Sequence, residues 1–124
     1  MTANKSAAES VQEALEKINQ IDRSGYKLNS VIATSSTALD EARKYDQDAQ
    51  DLPLGGQPIL IKDNIEVRGL PASAGSLALS GAPAQRDATL VSRLRDGGAI
   101  IVGATNLSEW ANIRSSKSTM QLMV

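Results

Sequence analysis

The chain has 124 residues and a formal net charge of −1, is 41% hydrophobic and 2% aromatic, and contains no Cys, His or Phe. That length holds one domain with a modest, aliphatic core; interspersed charges, one Trp and two Tyr exclude the basic face and stacking rings of a nucleic-acid binder. Without Cys or His there is no disulfide framework, thiol nucleophile or Ser-His-Asp triad in these residues, which leaves Lys, a carboxylate or Tyr as the base of any covalent chemistry.

No apolar run reaches the roughly 20 residues needed to cross a bilayer. Met1-Thr2-Ala3-Asn4-Lys5-Ser6 leads into a polar helix without the pattern of a signal peptide. A cytoplasmic protein without a membrane partner is expected. Ser6-Ala7-Ala8-Glu9 has capping-box spacing, and Val11, Leu15, Ile18 and then Ile21 or Asp22 follow at helical steps. This predicts a helix over 7–23, stopped by Ser24-Gly25. Its narrow apolar stripe puts it on the outside of something larger.

Leu28, Val31, Ile32 and Ala33 predict a short strand. Ser35-Ser36-Thr37 then caps a second helix to about Tyr45, with Ala38, Leu39, Ala42 and Tyr45 on one face. Residues 46–56 read as a solvated turn. Asp46, Asp48 and Asp51 lie close together there, but the glycine and closing glutamate of a calcium loop are missing, so no metal site is expected.

Gln57-Pro58-Ile59-Leu60-Ile61-Lys62-Asp63-Asn64-Ile65 reads as a short buried strand with a lysine at its end. A lysine beside a carboxylate at the mouth of an apolar strand can be held near its neutral form by burial and hydrogen bonding. The spacing also fits a solvated strand-end lysine, the commoner case because buried lysines are rare. Residues 66–86 then show neither helical nor strand period, with Gly69-Leu70-Pro71, Ser73-Ala74-Gly75-Ser76 and Gly81-Ala82-Pro83 among them. A structureless stretch of about 20 residues inside a compact domain tends to be functional. Its serines and glycines either offer backbone N–H groups to an anion or only let the loop pack tightly.

Asp87 is expected to cap a helix over 88–96 with Leu90, Val91 and Leu94 inward and Gly97-Gly98 ending it. Ala99-Ile100-Ile101-Val102-Gly103 is an apolar strand, which completes a βαβ unit with parallel strands. A strand of that kind demands cover on both faces, and so short a chain offers few helices to give it. Asn106-Leu107-Ser108-Glu109 repeats the cap-x-x-Glu spacing and opens a turn carrying Trp110 at the carboxyl end of the last strand. Ligands gather at such ends in α/β sheets; a core-packing Trp is the competing reading.

Four stretches in order resemble the amidase signature family of serine hydrolases. They are Leu52-Pro53-Leu54-Gly55-Gly56-Gln57-Pro58-Ile59-Leu60-Ile61-Lys62-Asp63-Asn64-Ile65, Gly69-Leu70-Pro71-Ala72-Ser73-Ala74-Gly75-Ser76, Arg86-Asp87-Ala88-Thr89-Leu90-Val91, and the run from Gly97-Gly98 through Asn106-Leu107-Ser108-Glu109-Trp110-Ala111-Asn112. The resemblance covers about residues 10–118. It implies a partial α/β fold with a short, mostly parallel or mixed sheet over 1–119, and a tail outside the family over 120–124.

Lys62 stands where the family carries the base of a Ser–cisSer–Lys triad, which cleaves carboxamides through an acyl-enzyme and needs no cofactor. By the same resemblance Trp110, Ala111 and Asn112 lie beside the acyl pocket, and their wording is similar to members acting on peptide C-terminal amides. The family's bridging and nucleophilic serines belong beyond this stretch; Ser115, Ser116 and Ser118 precede their positions. What is implied is a truncated amidase whose parent hydrolyses a small amide or peptide amide, while this chain alone is inactive. The alternatives are a complementing half of a split amidase, drawn to a partner by uncovered faces of strands 59–61 and 100–102, and a non-catalytic or self-assembling module on the same scaffold.

Overall fold

The computed structural model describes residues 5–48 and 51–111. Helix α1 (Ala7–Lys17) runs on into a π-helical turn (Ile18–Arg23), followed by strand β1 (Val31–Thr34) and helix α2 (Ala38–Gln47). Strand β2 (Pro58–Lys62), helix α3 (Thr89–Asp96) and strand β3 (Ile100–Thr105) complete the layers, with short 3-10 turns at Leu77–Leu79 and Glu109–Ala111. The strands form one mixed sheet in the order β1-β3-β2, with β1 antiparallel and β2 parallel to the central β3. This is the expected α/β architecture with a short mixed sheet.

Every residue of β3 except Thr105 is buried, and its two faces are served by separate clusters. Ile100 and Val102 pack with Ala7 and Val11 of α1 and Ala38 and Ala42 of α2. Ile101 and Ala104 pack with Ile61, Val67, Leu70 and Val91. The expected shortage of cover over 100–102 is therefore not found: two helices lie on one face, and α3 with the 65–70 segment lies on the other. Alternation along β3 is interrupted where Ile59 opposes Ile101 but Leu60 opposes Gly103. The extra residue shifts the parity, so Ile101 and Ala104 share a face. Each fully buried aliphatic side chain here contributes about 1.5–3 kcal/mol. At Gly103 a Cβ would run into the carbonyl oxygen of Ala33 on β1, so only glycine lets the two strands approach.

The capping box forms: Ser6 accepts from the Glu9 N–H, and the Glu9 side chain accepts from the Ser6 N–H. Asp46 is not part of a solvated turn. It belongs to the last turn of α2, and its carboxylate accepts from the N–H groups of Ala7 (2.8 Å) and Ala8 (3.0 Å), where the positive end of α1's dipole favours an anion. Among the described residues no group of three or more His, Cys, Asp or Glu side chains is placed to hold a metal ion.

Several inward and capping assignments change. Of the two residues left open at the last helical step, Asp22 is the buried one and Ile21 is 42% exposed, because the wider π turn rotates the face that α1 presents. Leu28 lies outside β1 and is exposed, as is Leu90 on α3. Asp87 does not cap α3, whose N-cap is Ala88 without a side-chain bond. Instead Asp87 accepts from the Arg68 N–H and lies 3.0 Å from Arg95 Nε, an ion pair without hydrogen-bond alignment. Arg95 also donates to Glu41 at 3.0 Å, tying α3 to α2. Strand β2 is half-buried rather than buried: it has one strand neighbour among the described residues, and Leu60 is exposed. The division at 119/120 lies outside the described residues.

Asp22 is held in the interior by accepting from the Ser30 hydroxyl, the Ser30 N–H (2.8 Å) and the Val31 N–H (3.0 Å), which fixes the start of β1. Burial pushes this carboxyl up, but the three donors and the Arg23 charge together outweigh it and hold it below the usual carboxylate value. A lowered native value means the unfolded chain takes up the proton first. Stability from this group is thus full above the ordinary value and is lost as the pH falls through the native one. Asp22→Asn is expected to cost about 1–3 kcal/mol at neutral pH and to flatten the acid side of the stability profile, read by urea unfolding between pH 7 and pH 3. An unchanged acid limb would remove Asp22 from this role.

Candidate functional site

The carboxyl ends of the parallel strands β2 and β3 lie side by side, with Lys62 opposite Thr105. Both of the sequence's site stretches leave the sheet there. Lys62 is the last residue of β2, and its side chain is exposed, with no hydrogen bond or ion pair to another described residue. The described residues thus give it the solvated surroundings of a strand-end lysine.

Asp63 follows it and turns inward. It is 1% exposed, and its N–H donates to the Thr105 carbonyl at 3.0 Å, extending the parallel ladder by one bond. Its carbonyl accepts from the Ala74 N–H at 3.1 Å. Its Oδ2 accepts from the Ser73 N–H at 3.0 Å and from the Ser73 hydroxyl, while Oδ1 has no partner among the described residues. Ser73 is fully buried.

The irregular 66–86 stretch is real, with only the Leu77–Leu79 turn in it, but it is pinned at fixed points. Gly69 donates to the Ala84 carbonyl and Ala84 to the Leu70 carbonyl, closing a small loop. Around the Asp63 anchor the backbone turns left-handed: Ala72, Ala74 and Gly75 have φ of 50°, 50° and 74°. For the two alanines this left-handed region costs about 1–2 kcal/mol each. Of the two sequence readings, tight packing describes the Ser73 N–H, which is taken by Asp63 and not offered to an anion. An open groove of about 630 Å³ runs along the outer side of this loop, between Pro71, Leu79 and Pro83. Lys62 and Trp110 are not in its walls.

Trp110 does not pack in the core; it is 62% exposed. Asn106 bonds the Leu107 N–H and the Asn29 carbonyl, after which the chain turns sharply, with Trp110 and Ala111 at φ of 54° and 58°. The Trp110 N–H donates to the Ala74 carbonyl at 2.7 Å. Lys62 and the Trp110-Ala111 turn are therefore brought to one end of the sheet, joined through Asp63, Ser73 and Ala74. Asn112, Ser115, Ser116 and Ser118 lie outside the described residues. Sequence reasoning read Asp63 only as the lysine's neighbour and Ser73 only as one of the loop's serines, and missed that they bond to each other in the interior. The available signal was an acid directly after the apolar strand and a serine inside a small-residue turn, neither of which reveals burial.

The family model described as Amidase matches residues 9–123. A glutamyl-tRNA(Gln) amidotransferase subunit of Methanosarcina acetivorans is 44% identical over 93 residues, covering 75% of this chain and 20% of the relative. A probable amidase of Arabidopsis thaliana is 41% identical over 119 residues, covering 90% of this chain and 22% of the relative. Among solved structures, native peptide amidase from Stenotrophomonas maltophilia superimposes with a TM-score of 0.84 at 45% identity, over 92% of this chain and 24% of that one. The chain thus spans about a fifth to a quarter of the length of these relatives.

Gly75 is the contact between the two turns. A Cβ there would sit 3.0 Å from the backbone of Glu109 and the Leu107 carbonyl, on a φ that L side chains avoid. Gly75→Ala is expected to lower stability by about 1–3 kcal/mol, measured by urea unfolding of the chain. A neutral effect would mean that the two turns are not packed in this way.

Proposed function

The chain belongs to the amidase family, and from that premise we propose that Lys62 is the proton acceptor of a site that hydrolyses a carboxamide C–N bond. On this reading a bridging serine passes the nucleophile's proton to the lysine, and the nucleophilic serine adds to the carbonyl. The C–N bond breaks as the amine leaves with that proton returned, and water then hydrolyses the acyl-enzyme to the acid and frees the serine. The serines and the backbone donors for the oxyanion come from polypeptide beyond residues 1–119, which these relatives carry in the greater part of their length. That polypeptide also shields the Lys62 amine from water, since a lysine accepts protons near neutral pH only when desolvated or placed beside another cation. The 124 residues by themselves supply the base and not the nucleophile, and do not turn over amides.

The observation that carries this reading is the convergence of Lys62 and the Trp110-Ala111 turn at the carboxyl end of the β2–β3 pair. Substrates are bound at such ends in α/β sheets. The 45% identity to a peptide amidase favours a peptide C-terminal amide as substrate, with Trp110, Ala111 and Asn112 beside its acyl portion. A complementing role has its own support. Leu60 on the outer strand, Leu77 and Leu79 on the loop, and Trp110 are all exposed, as surfaces that another polypeptide covers would be. No helix among the described residues is long and apolar enough to cross a membrane.

The test is an assay of ammonia release from a peptide amide. The purified 124-residue chain is expected to give none above buffer. Mixed with the remaining three quarters of the Stenotrophomonas enzyme, it is expected to hydrolyse the amide, and Lys62→Ala in the mixture to lower the rate by about 10²–10⁴-fold. Turnover by the chain alone, or a mixture indifferent to Lys62→Ala, would overturn the assignment.

A further inference from the structure

We infer that Asp63 is a positioning residue that locks the Trp110 turn to the strand carrying Lys62, so that the two sides of the site move as one body. The inference rests on the reading above for what the two sides do, but its geometry stands apart from it. Asp63 commits its backbone and one carboxylate oxygen to this connection. Its N–H holds the end of β3 through Thr105, its carbonyl holds Ala74, and Oδ2 takes both donors of Ser73. Ala74, gripped on its N–H side by Asp63, receives Trp110 on its carbonyl side at 2.7 Å.

Two costs show that this arrangement is imposed and not merely tolerated. Two alanines, Ala72 and Ala74, flank Ser73 in left-handed backbone that a free loop would relax. Asp63 Oδ1 is buried without a partner among the described residues, a penalty that an apolar residue would avoid. An apolar residue, however, leaves the buried N–H of Ser73 unpaired and has nothing to hold the turn in its strained form. The adjacent strand-end position gives the connection its purpose. Lys62 and Asp63 are consecutive, so whatever fixes the Asp63 carboxylate to the turn fixes the distance between the Lys62 backbone and the Trp110 backbone.

Amide hydrogen exchange on the 124-residue chain tests this without any hydrolysis, so its failure is separable from failure of the Lys62 assignment. In Asp63→Ala the Ala74 and Trp110 amides are expected to exchange about tenfold faster or more, while Ile101 and Val102 in β3 stay within about threefold of the parent. Asp63→Asn keeps an oxygen acceptor for Ser73 and is expected to restore the protection of both amides. If Asp63→Ala does not fold, Ser73→Ala decides in its place, with a smaller acceleration of about threefold confined to the same two amides. Acceleration spread evenly through β3, or none at Trp110 in the variant that folds, or no recovery in Asp63→Asn, would overturn the inference.

Discussion

A strand with no wet face governs this structure. Strand β3 is buried from Ile100 to Ala104, and removing both of its faces from water requires a helical layer on each side. Helices α1 and α2 answer one face through small residues, Ala7, Ala38 and Ala42, that let helix backbones come close. Helix α3 answers the other through Val91, with Val67 and Leu70 from the loop filling what one helix leaves open. With almost no aromatic volume available, packing depends on close approach, and Gly103 against Ala33 is one place where only a missing Cβ allows it.

The same constraint decides where a site can lie. Backbone groups at the ends of β2 and β3 must leave the sheet together, and the residues that follow both strands meet at their carboxyl ends. Asp63 is the hinge of that meeting. It continues the ladder on one side and captures the Ser73-Ala74 turn on the other, which in turn receives Trp110. A carboxylate is suited to this task because it accepts from a backbone N–H and a hydroxyl at once. Asp22 does equivalent work at the far end of α1, and there both carboxylate oxygens are used. At Asp63 one has no partner among the described residues. The contrast separates an anchor that is complete within these residues from one whose bonding is only half satisfied among them.

Lys62 and Asp63 also show how neighbouring residues divide labour. Alternation at the end of β2 sends the lysine to the surface and the acid into the interior. The side chain proposed for chemistry thereby projects outward, while its neighbour fixes the backbone from which it projects. Such a division suits a general base, whose geometry relative to substrate must be held while its amine exchanges a proton.

Much of this was legible in the sequence. The capping box at Ser6-Glu9, the apolar strand at 100–102, the parallel β2–β3 pair and the irregular 66–86 stretch follow from local patterns, because periodicity, capping and turn residues act over a few positions. Lys62 and the Trp110 turn were also marked by their place at strand ends. What local pattern did not carry was the identity of long-range partners. Asp46 and Asp87 looked like turn and cap residues, yet they bond to Ala7, Ala8 and Arg68, up to 39 residues away. A π turn decided which of Ile21 and Asp22 is enclosed, and Trp110 went outward on a strained backbone. Above all, Asp63 and Ser73 became a buried pair only because the sheet brings positions ten residues apart into one interior. Sequence determined the elements and the strand ends at which a site is built. Tertiary structure decided which polar groups are enclosed, since burial is a property of everything that packs around a residue and not of its neighbours in the chain.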